Sequence, residues 1–356
     1  MTVRILQGDC RDVLKTLPDE SVHCVVTSPP YWGLRDYGVD GQIGLEGSPF
    51  AFVDSMVEVF SEVRRVLRSD GTLWLNLGDS YSGSGKGGNP DSGKHSTNKG
   101  SQSVGTLYGK TGATARQAAV TNVSRRICAE QGFAAKQLMG MPWRVALALQ
   151  EAGWWLRQDI IWSKPNPMPE SVSDRCTKSH EYIFLMAKSE RYYFDQDAIL
   201  EPVSPNTHAR VSQDVAAQIG SERAPGGKTN GNMKAVVRSP KIQEDGGGKI
   251  KNNASFINAV ALQVNERNKR SVWTVPTKGY SEAHFATFPP DLIEPAILAG
   301  CPEGGTVLDP FGGAGTTGLV ADRHKRNAIL IELNPEYAEM ARNRIYDDAP
   351  LFAEVQ

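Results

Sequence analysis

The chain has 356 residues, 40% hydrophobic and 22% charged, and its 39 basic and 40 acidic side chains leave a formal charge of -1. That length and balance suit one large domain or one domain with an insertion, exclude a disordered or collagenous chain, and confine any basic surface to local segments. Five scattered cysteines (Cys10, Cys24, Cys128, Cys176, Cys301) with no C-x-x-C pair argue against a disulfide framework and a zinc site, and no apolar run approaches a membrane span or a secretory leader, so a soluble cytoplasmic protein is expected.

The first eighty residues alternate buried runs with helical periodicity. Val3 to Gln7 reads as a strand, Arg11 to Leu17 as a short helix and Val22 to Thr27 as a buried strand. Phe50 to Leu67 reads as a helix, Ser69-Asp70-Gly71 as a turn and Thr72 to Leu77 as a further strand. Residues 82–125 are rich in Gly, Ser, Thr and Asn and carry six Lys or Arg against one acid, Asp91, a composition that cannot order itself by apolar burial. Pro142 to Glu151 then reads as a helix, with Trp155 to Trp162 and Tyr182 to Met186 as strands. Residues 202–270 carry eleven basic side chains and five acidic ones, which suits either a solvated linker or a nucleic-acid-facing insertion. The rhythm returns with a strand at Thr306 to Leu308, a helix at Thr317 to His324, a strand at Ala328 to Ile331 and a closing helix at Pro335 to Ile345. Strands and helices alternating in this way predict an α/β sheet.

Two motifs carry chemistry. VLDPFGGAGTTGLVA (307–321) is a strand, an acid, a glycine-rich turn and a helix start, in which Gly312, Gly313 and Gly315 let backbone approach a ligand and leave amides open at a helix terminus. A ligand-free turn between strand and helix has the same look. Glu332 follows at the end of the next strand, at a spacing that suits ribose hydroxyls, while Asp309 and the departure from G-x-G-x-x-G disfavour a pyrophosphate. An acid beside the turn suits a cationic nucleoside such as S-adenosylmethionine. The second motif is the proline corner of VVTSPPYWGL (25–34), which removes backbone donors and stiffens the chain between Ser28 and the aromatics Tyr31 and Trp32.

With ILQGDC (5–10), TSPPYW (27–32), WSKPNPMPES (162–171), HEYIFLMAKS (180–189), HFATFPPDLI (284–293), DPFGGAGTTG (309–318) and IELNPEY (331–337), the sequence resembles the S-adenosylmethionine-dependent DNA amino-methyltransferases, which modify N4 of cytosine or N6 of adenine. The proline corner precedes the glycine turn, an order that resembles the circularly permuted beta class of that family. The resemblance implies a Rossmann-like α/β methyltransferase fold, circularly permuted, with an inserted target-recognition region. It divides the chain into a catalytic half (1–81), a basic Gly/Ser-rich loop (82–125), a continuation of the methyltransferase domain (126–201), a target-recognition insertion (202–272) and a cofactor-binding half (273–356).

The resemblance also implies roles for single residues. Asp309, Phe311, Gly312, Gly313 and Gly315 would line the methionine part of S-adenosylmethionine, with Thr316 and Thr317 nearby, and Glu332 would hold the ribose. Asp9 would reach the adenine amino group, although its position is equally that of a helix N-cap. His284, Phe288 and Pro289 would close the pocket over the methionine moiety. Ser28 and the Pro29 carbonyl, in the corner completed by Pro30, would accept the two N–H hydrogens of an exocyclic amine on a flipped base, on which Tyr31 would stack and whose wall Trp32 would extend. Arg267, Lys269 and Arg270, beside Trp273, would contact phosphates of double-stranded DNA. Serine in the first position leans towards N4 of cytosine and leaves N6 of adenine open; an RNA or protein-glutamine amino-methyltransferase and a catalytically inactive DNA-binding relative are the alternatives. Glu181 is read as structural before catalytic, no P-C dipeptide supports a thiolate route, no metal is implied, and a homodimer and a partner endonuclease both stay open.

Overall fold

The computed structural model describes residues 1–82, 132–203, 266–278, 287–348 and 354–355. By its contacts the chain divides into a larger unit, Met1–Ala198 with Arg270–Gln356, and a smaller one, Ile199–Lys269. Of the smaller unit, two short antiparallel strands are described, β6 (Glu201–Pro202) and β7 (Glu266–Arg267), joined by an ion pair of Arg267 with Glu201 at 3.0 Å.

The larger unit opens with β1 (Thr2–Gln7), α1 (Cys10–Thr16), β2 (Val22–Thr27), α2 (Pro49–Val66) and β3 (Leu67–Leu77). It continues with α3 (Met141–Glu151), β4 (Trp155–Ser163), β5 (His180–Ala187) and β8 (Val272–Thr274). It closes with α4 (Pro290–Gly300), β9 (Thr306–Asp309), α5 (Thr316–Arg323), β10 (Asn327–Glu332), α6 (Pro335–Asp348) and β11 (Glu354–Val355). The strands form one nine-stranded sheet in the order β11-β1-β10-β9-β2-β3-β5-β4-β8. It is parallel from β11 to β3, and β5 runs antiparallel to both β3 and β4.

Side-chain alternation assigns the two faces. Val25, Leu73, Leu75, Ile329 and Ile331 share one core with Leu14 of α1, Phe52, Met56 and Phe60 of α2, and Val145 and Leu149 of α3. The intervening residues meet the other helices: Gly300 of α4 lies so close to Thr72, Trp74 and Cys24 that a Cβ would stand 2.5–2.8 Å from them, and Gly318 of α5 lies similarly against Leu330. Helix α2 forms where Ser48 caps the Ala51 amide ahead of a Pro at the first turn, and its residues 52, 56, 59, 60 and 63 repeat at helical spacing on the buried side.

Two expectations change. The turn expected at Ser69-Asp70-Gly71 lies inside β3, whose register against β2 jumps from Val22↔Leu67 to Cys24↔Thr72; the extra residues bulge and the strand continues. Helix α4 falls where no element was expected; it opens on Pro290, and proline is at home in a first helical turn.

Because β1, β10, β9, β2 and β3 are parallel, Asp9, Glu332, Asp309, Ser28 and Gly78 all emerge at one edge of the sheet. The antiparallel β5 starts there, pairing Tyr182 with Leu77, and so brings Glu181 to the same edge. That carboxyl edge is where open α/β sheets bind ligands. Among the described residues, no helix is long and apolar enough to cross a membrane.

Candidate active site

The two motifs meet through adjacent strands. Thr27, last in β2, donates from Oγ1 to Asp309 Oδ1 at 2.6 Å across 282 residues of sequence. Thr317 donates to the other carboxylate oxygen at 2.6 Å, and the Phe311 amide reaches Oδ1 at 3.0 Å. Asp309 is 1% exposed and stands behind the cavity wall, so the direct ligand contact expected of it becomes a holding role: it ties the corner, the glycine turn and α5 together. Burial pushes its carboxyl up to about 6 against the opposing effect of those three hydrogen bonds.

The turn also differs from expectation. The amides of Phe311, Gly312, Gly313 and Gly315 already donate to Asp309, Ile331 O, Glu332 and Gly312 O. A loop with its amides so engaged is no cradle for a pyrophosphate. Gly315, at φ +77°, is required because a Cβ there would stand 2.8 Å from Ala341 Cβ, and it and Thr317 lie behind the lining. Phe311, Gly312, Gly313 and Thr316 reach the cavity; Thr316 also accepts from Arg344 at 2.9 Å.

Glu332 faces the cavity with each oxygen taking one backbone donor, Gly313 N and Asn334 N, both at 2.8 Å. Its carboxylate therefore keeps lone pairs for two further donors such as vicinal hydroxyls, and burial raises its pKa. Asp9 is the N-cap of α1, accepting from the Arg11 amide at 2.9 Å; it is ion-paired with Arg11 and also lines the cavity. The Arg11 hydrogen bond holds its carboxyl below the usual range. Phe288 lines the wall, Pro289 is the buried N-cap residue of α4, and His284 lies outside the described residues.

At the other end, Ser28, Pro29, Pro30 and Tyr31 all line the cavity. The Tyr31 hydroxyl donates to Glu181 Oε2 at 2.9 Å and stands 3.5 Å from Ser28 Oγ. Burial, then the Glu181 charge, raises its pKa well above the ordinary value, so it stays a neutral phenol. Glu181 also accepts from Asn76 Nδ2 at 3.3 Å and pairs with Lys164, whose ammonium sits 4.1 Å from the Trp162 ring centre. Gly78 closes the arrangement: a Cβ there would be 2.5 Å from Tyr31 Cε2, so the ring rests directly on the end of β3. Lys178 donates to Asp79 O at 2.9 Å, and burial lowers its pKa.

Trp32 does not extend the aromatic wall. It is 5% exposed in the core and donates from Nε1 to Glu46 O at 3.1 Å. That bond anchors residues 33–47, a lining segment that no local pattern singles out; it brings in Tyr37, whose pKa is raised by burial first, with the Glu332 carboxylate adding to the effect. Arg267 is spent on Glu201, Lys269 is half-buried, and Arg270 is exposed, with its carbonyl accepting from Trp273 at 2.9 Å.

Between the two ends lies one cavity of about 800 Å³, within the usual range for ligand sites. Residues 22–343 match the model of the DNA methylase family of N6 and N4 methyltransferases. The chain belongs to this family of DNA methylases. It is 41% identical over 341 residues to the type II methyltransferase M.Cfr9I of Citrobacter freundii, covering 96% of this chain and 87% of that one. It is 40% identical to M.SmaI of Serratia marcescens, over 96% and 90%. In fold the methylase is similar to the cytosine-N4-specific PvuII DNA methyltransferase, with TM-score 0.55, 17% identity and coverage of 98% and 92%. It is likewise similar to a Thermus thermophilus protein described as a DNA modification methylase and solved with S-adenosyl-L-methionine, with TM-score 0.53, 22% identity and 99% coverage of both.

Proposed function

We propose that this DNA amino-methyltransferase moves a methyl group from S-adenosylmethionine to N4 of a cytosine flipped out of a duplex site. The observation that carries this is the Thr27–Asp309 bond, which sets the proline corner and the glycine turn on one cavity. The cofactor end fits a cationic nucleoside: Glu332 keeps acceptor capacity for ribose hydroxyls, and the engaged turn amides offer a phosphate nothing. When bound there, the cofactor supplies an electrophilic methyl group on a sulfonium.

The chain's own residues do the rest. An exocyclic amine is a poor nucleophile while its lone pair is delocalised into the ring. Ser28 Oγ, whose hydrogen points towards Tyr31, keeps its lone pairs for one amine hydrogen, and the Pro29 carbonyl takes the other. Held this way, the nitrogen directs its lone pair at the methyl group, and catalysis is positioning and electrostatics. Tyr31, fixed by Glu181 and seated on Gly78, offers its ring face to the base. Serine in the first place of the corner supports N4 of cytosine over N6 of adenine. The motif order supports assignment to the beta class, and residues 202–272 supply the target-recognition region, with Lys269 and Arg270 towards phosphates. Methylated DNA hydrolysed to nucleosides and identified by mass spectrometry tests the reading; N6-methyladenine in place of N4-methylcytosine would overturn the base.

A further inference from the structure

Met168 is 82% exposed, more than any other large apolar side chain described, yet it lines the mouth of the cavity. An exposed methionine alone is ordinary. Its mounting is not. It lies between Pro167 and Pro169 in the loop that joins β4 to β5, and this loop is braced on both sides. Asn166 exchanges two hydrogen bonds with Thr277, at 2.9 and 3.2 Å. Glu170 accepts from Arg175 at 2.6 Å and from the Lys178 amide at 3.2 Å, and the Arg175 guanidinium lies 4.1 Å from the Tyr81 ring centre. The Lys164 amide closes the loop's base on Ser179 O at 2.8 Å. A stiff support thus presents an unbranched apolar side chain to solvent. Lys164 pairs with Glu181, which holds Tyr31, and four residues from Lys164 to Met168 span at most about 14 Å. Met168 also lines the same cavity as Ser28 and Tyr31, the corner that would receive the base.

A base drawn out of a duplex leaves a gap whose neighbours have lost stacking, and proteins that distort DNA fill such gaps with Met, Leu, Phe or Pro. We propose that Met168 is a wedge that enters the stack and occupies the space vacated by the target base. This rests on the reading that a flipped base of duplex DNA is the substrate.

The test uses two short duplexes carrying the site that the enzyme methylates in genomic DNA, one fully paired and one with an abasic residue opposite the target, which makes the base easier to extract. Met168→Ala is expected to lower kcat/KM on the paired duplex about tenfold or more, to recover most of that on the abasic duplex, and to keep wild-type affinity for S-adenosylmethionine by calorimetry. Met168→Leu is expected to retain most of the activity on both. Equal loss on the two duplexes, loss explained by weaker cofactor binding, or no loss would overturn the wedge. Wild-type enzyme that binds S-adenosylmethionine but methylates no site in genomic DNA would instead overturn the underlying DNA reading, and the wedge with it.

Discussion

Adding one methyl group at Gly78 tests how the Tyr31 ring is held. In Gly78→Ala the new Cβ would lie 2.5, 3.1 and 3.2 Å from Cε2, Cδ2 and Cζ of Tyr31. Carbon contacts settle near 3.5–4.0 Å, so the ring must retreat by about 1 Å. Gly78 is not among the positive-φ glycines, so the backbone itself accepts alanine and the effect is steric. A retreat of this size carries the hydroxyl off Glu181, now 2.9 Å away, and moves the ring face from under the base. Misplacement by about 1 Å can cost about a hundredfold in rate, and the overpacking costs about 1–3 kcal/mol of stability. The assay is single-turnover methylation of a duplex, with cofactor affinity measured in parallel and folding followed by urea denaturation. A slow enzyme that still binds S-adenosylmethionine fits the account. Wild-type turnover in Gly78→Ala would show that the seat of Tyr31 does not matter, and the reasoning about this end of the cavity would fail.

Glu181→Gln tests the same ring from its other side: with the charge-assisted bond weakened, kcat falls about tenfold while cofactor affinity holds, and unchanged kcat would remove Glu181 as a positioning residue. Glu332→Gln puts an amide N–H against a backbone donor and weakens S-adenosylmethionine binding about ten- to hundredfold by calorimetry; wild-type affinity would refute the ribose assignment. Asp309→Ala strands the buried Thr27 hydroxyl, leaves that of Thr317 only the Val26 carbonyl at 3.4 Å, and is expected to destabilise the fold by about 2–5 kcal/mol in urea unfolding. Asp309 also predicts a pH signature in the cofactor-free enzyme. Its pKa in the folded state, about 6, lies above the unfolded value of 3.8, so the native state binds the extra proton and stability falls as pH rises between those values, by roughly 3 kcal/mol. Asp309→Asn should flatten that window; an unaltered slope would contradict it.

Much of this site was legible in local patterns and some of it was not. β2 and β9 are short runs of buried apolar residues between breakers, and their polar ends, Ser28 and Asp309, are conspicuous because they stop those runs. That the two ends touch depends on β2 and β9 being sheet neighbours, which periodicity alone does not contain. The glycine turn signalled close backbone approach, but whether its amides face a ligand or the protein depends on Glu332 and Ile331 folding back against it. Trp32 and Tyr31 are adjacent aromatics with opposite fates: only the packing of residues 33–47 over Trp32 sends one into the core and leaves the other in the cavity. Gly78 gave no local signal, since its role is space for a ring 47 residues earlier in the chain. Helix α4 was hidden by prolines that mark loops more often than first turns.

The central claim is that the proline corner and the glycine turn form one site for methyl transfer to an exocyclic amine. Incubating the enzyme and Ser28→Ala with labelled S-adenosylmethionine and unmethylated genomic DNA, then resolving the nucleosides by mass spectrometry, tests it most directly. The account predicts labelled N4-methylcytosine from the wild type and a loss of about a hundredfold in Ser28→Ala with cofactor binding intact. Full methylation by Ser28→Ala, or no labelled nucleoside from a wild-type enzyme that binds the cofactor, would contradict it.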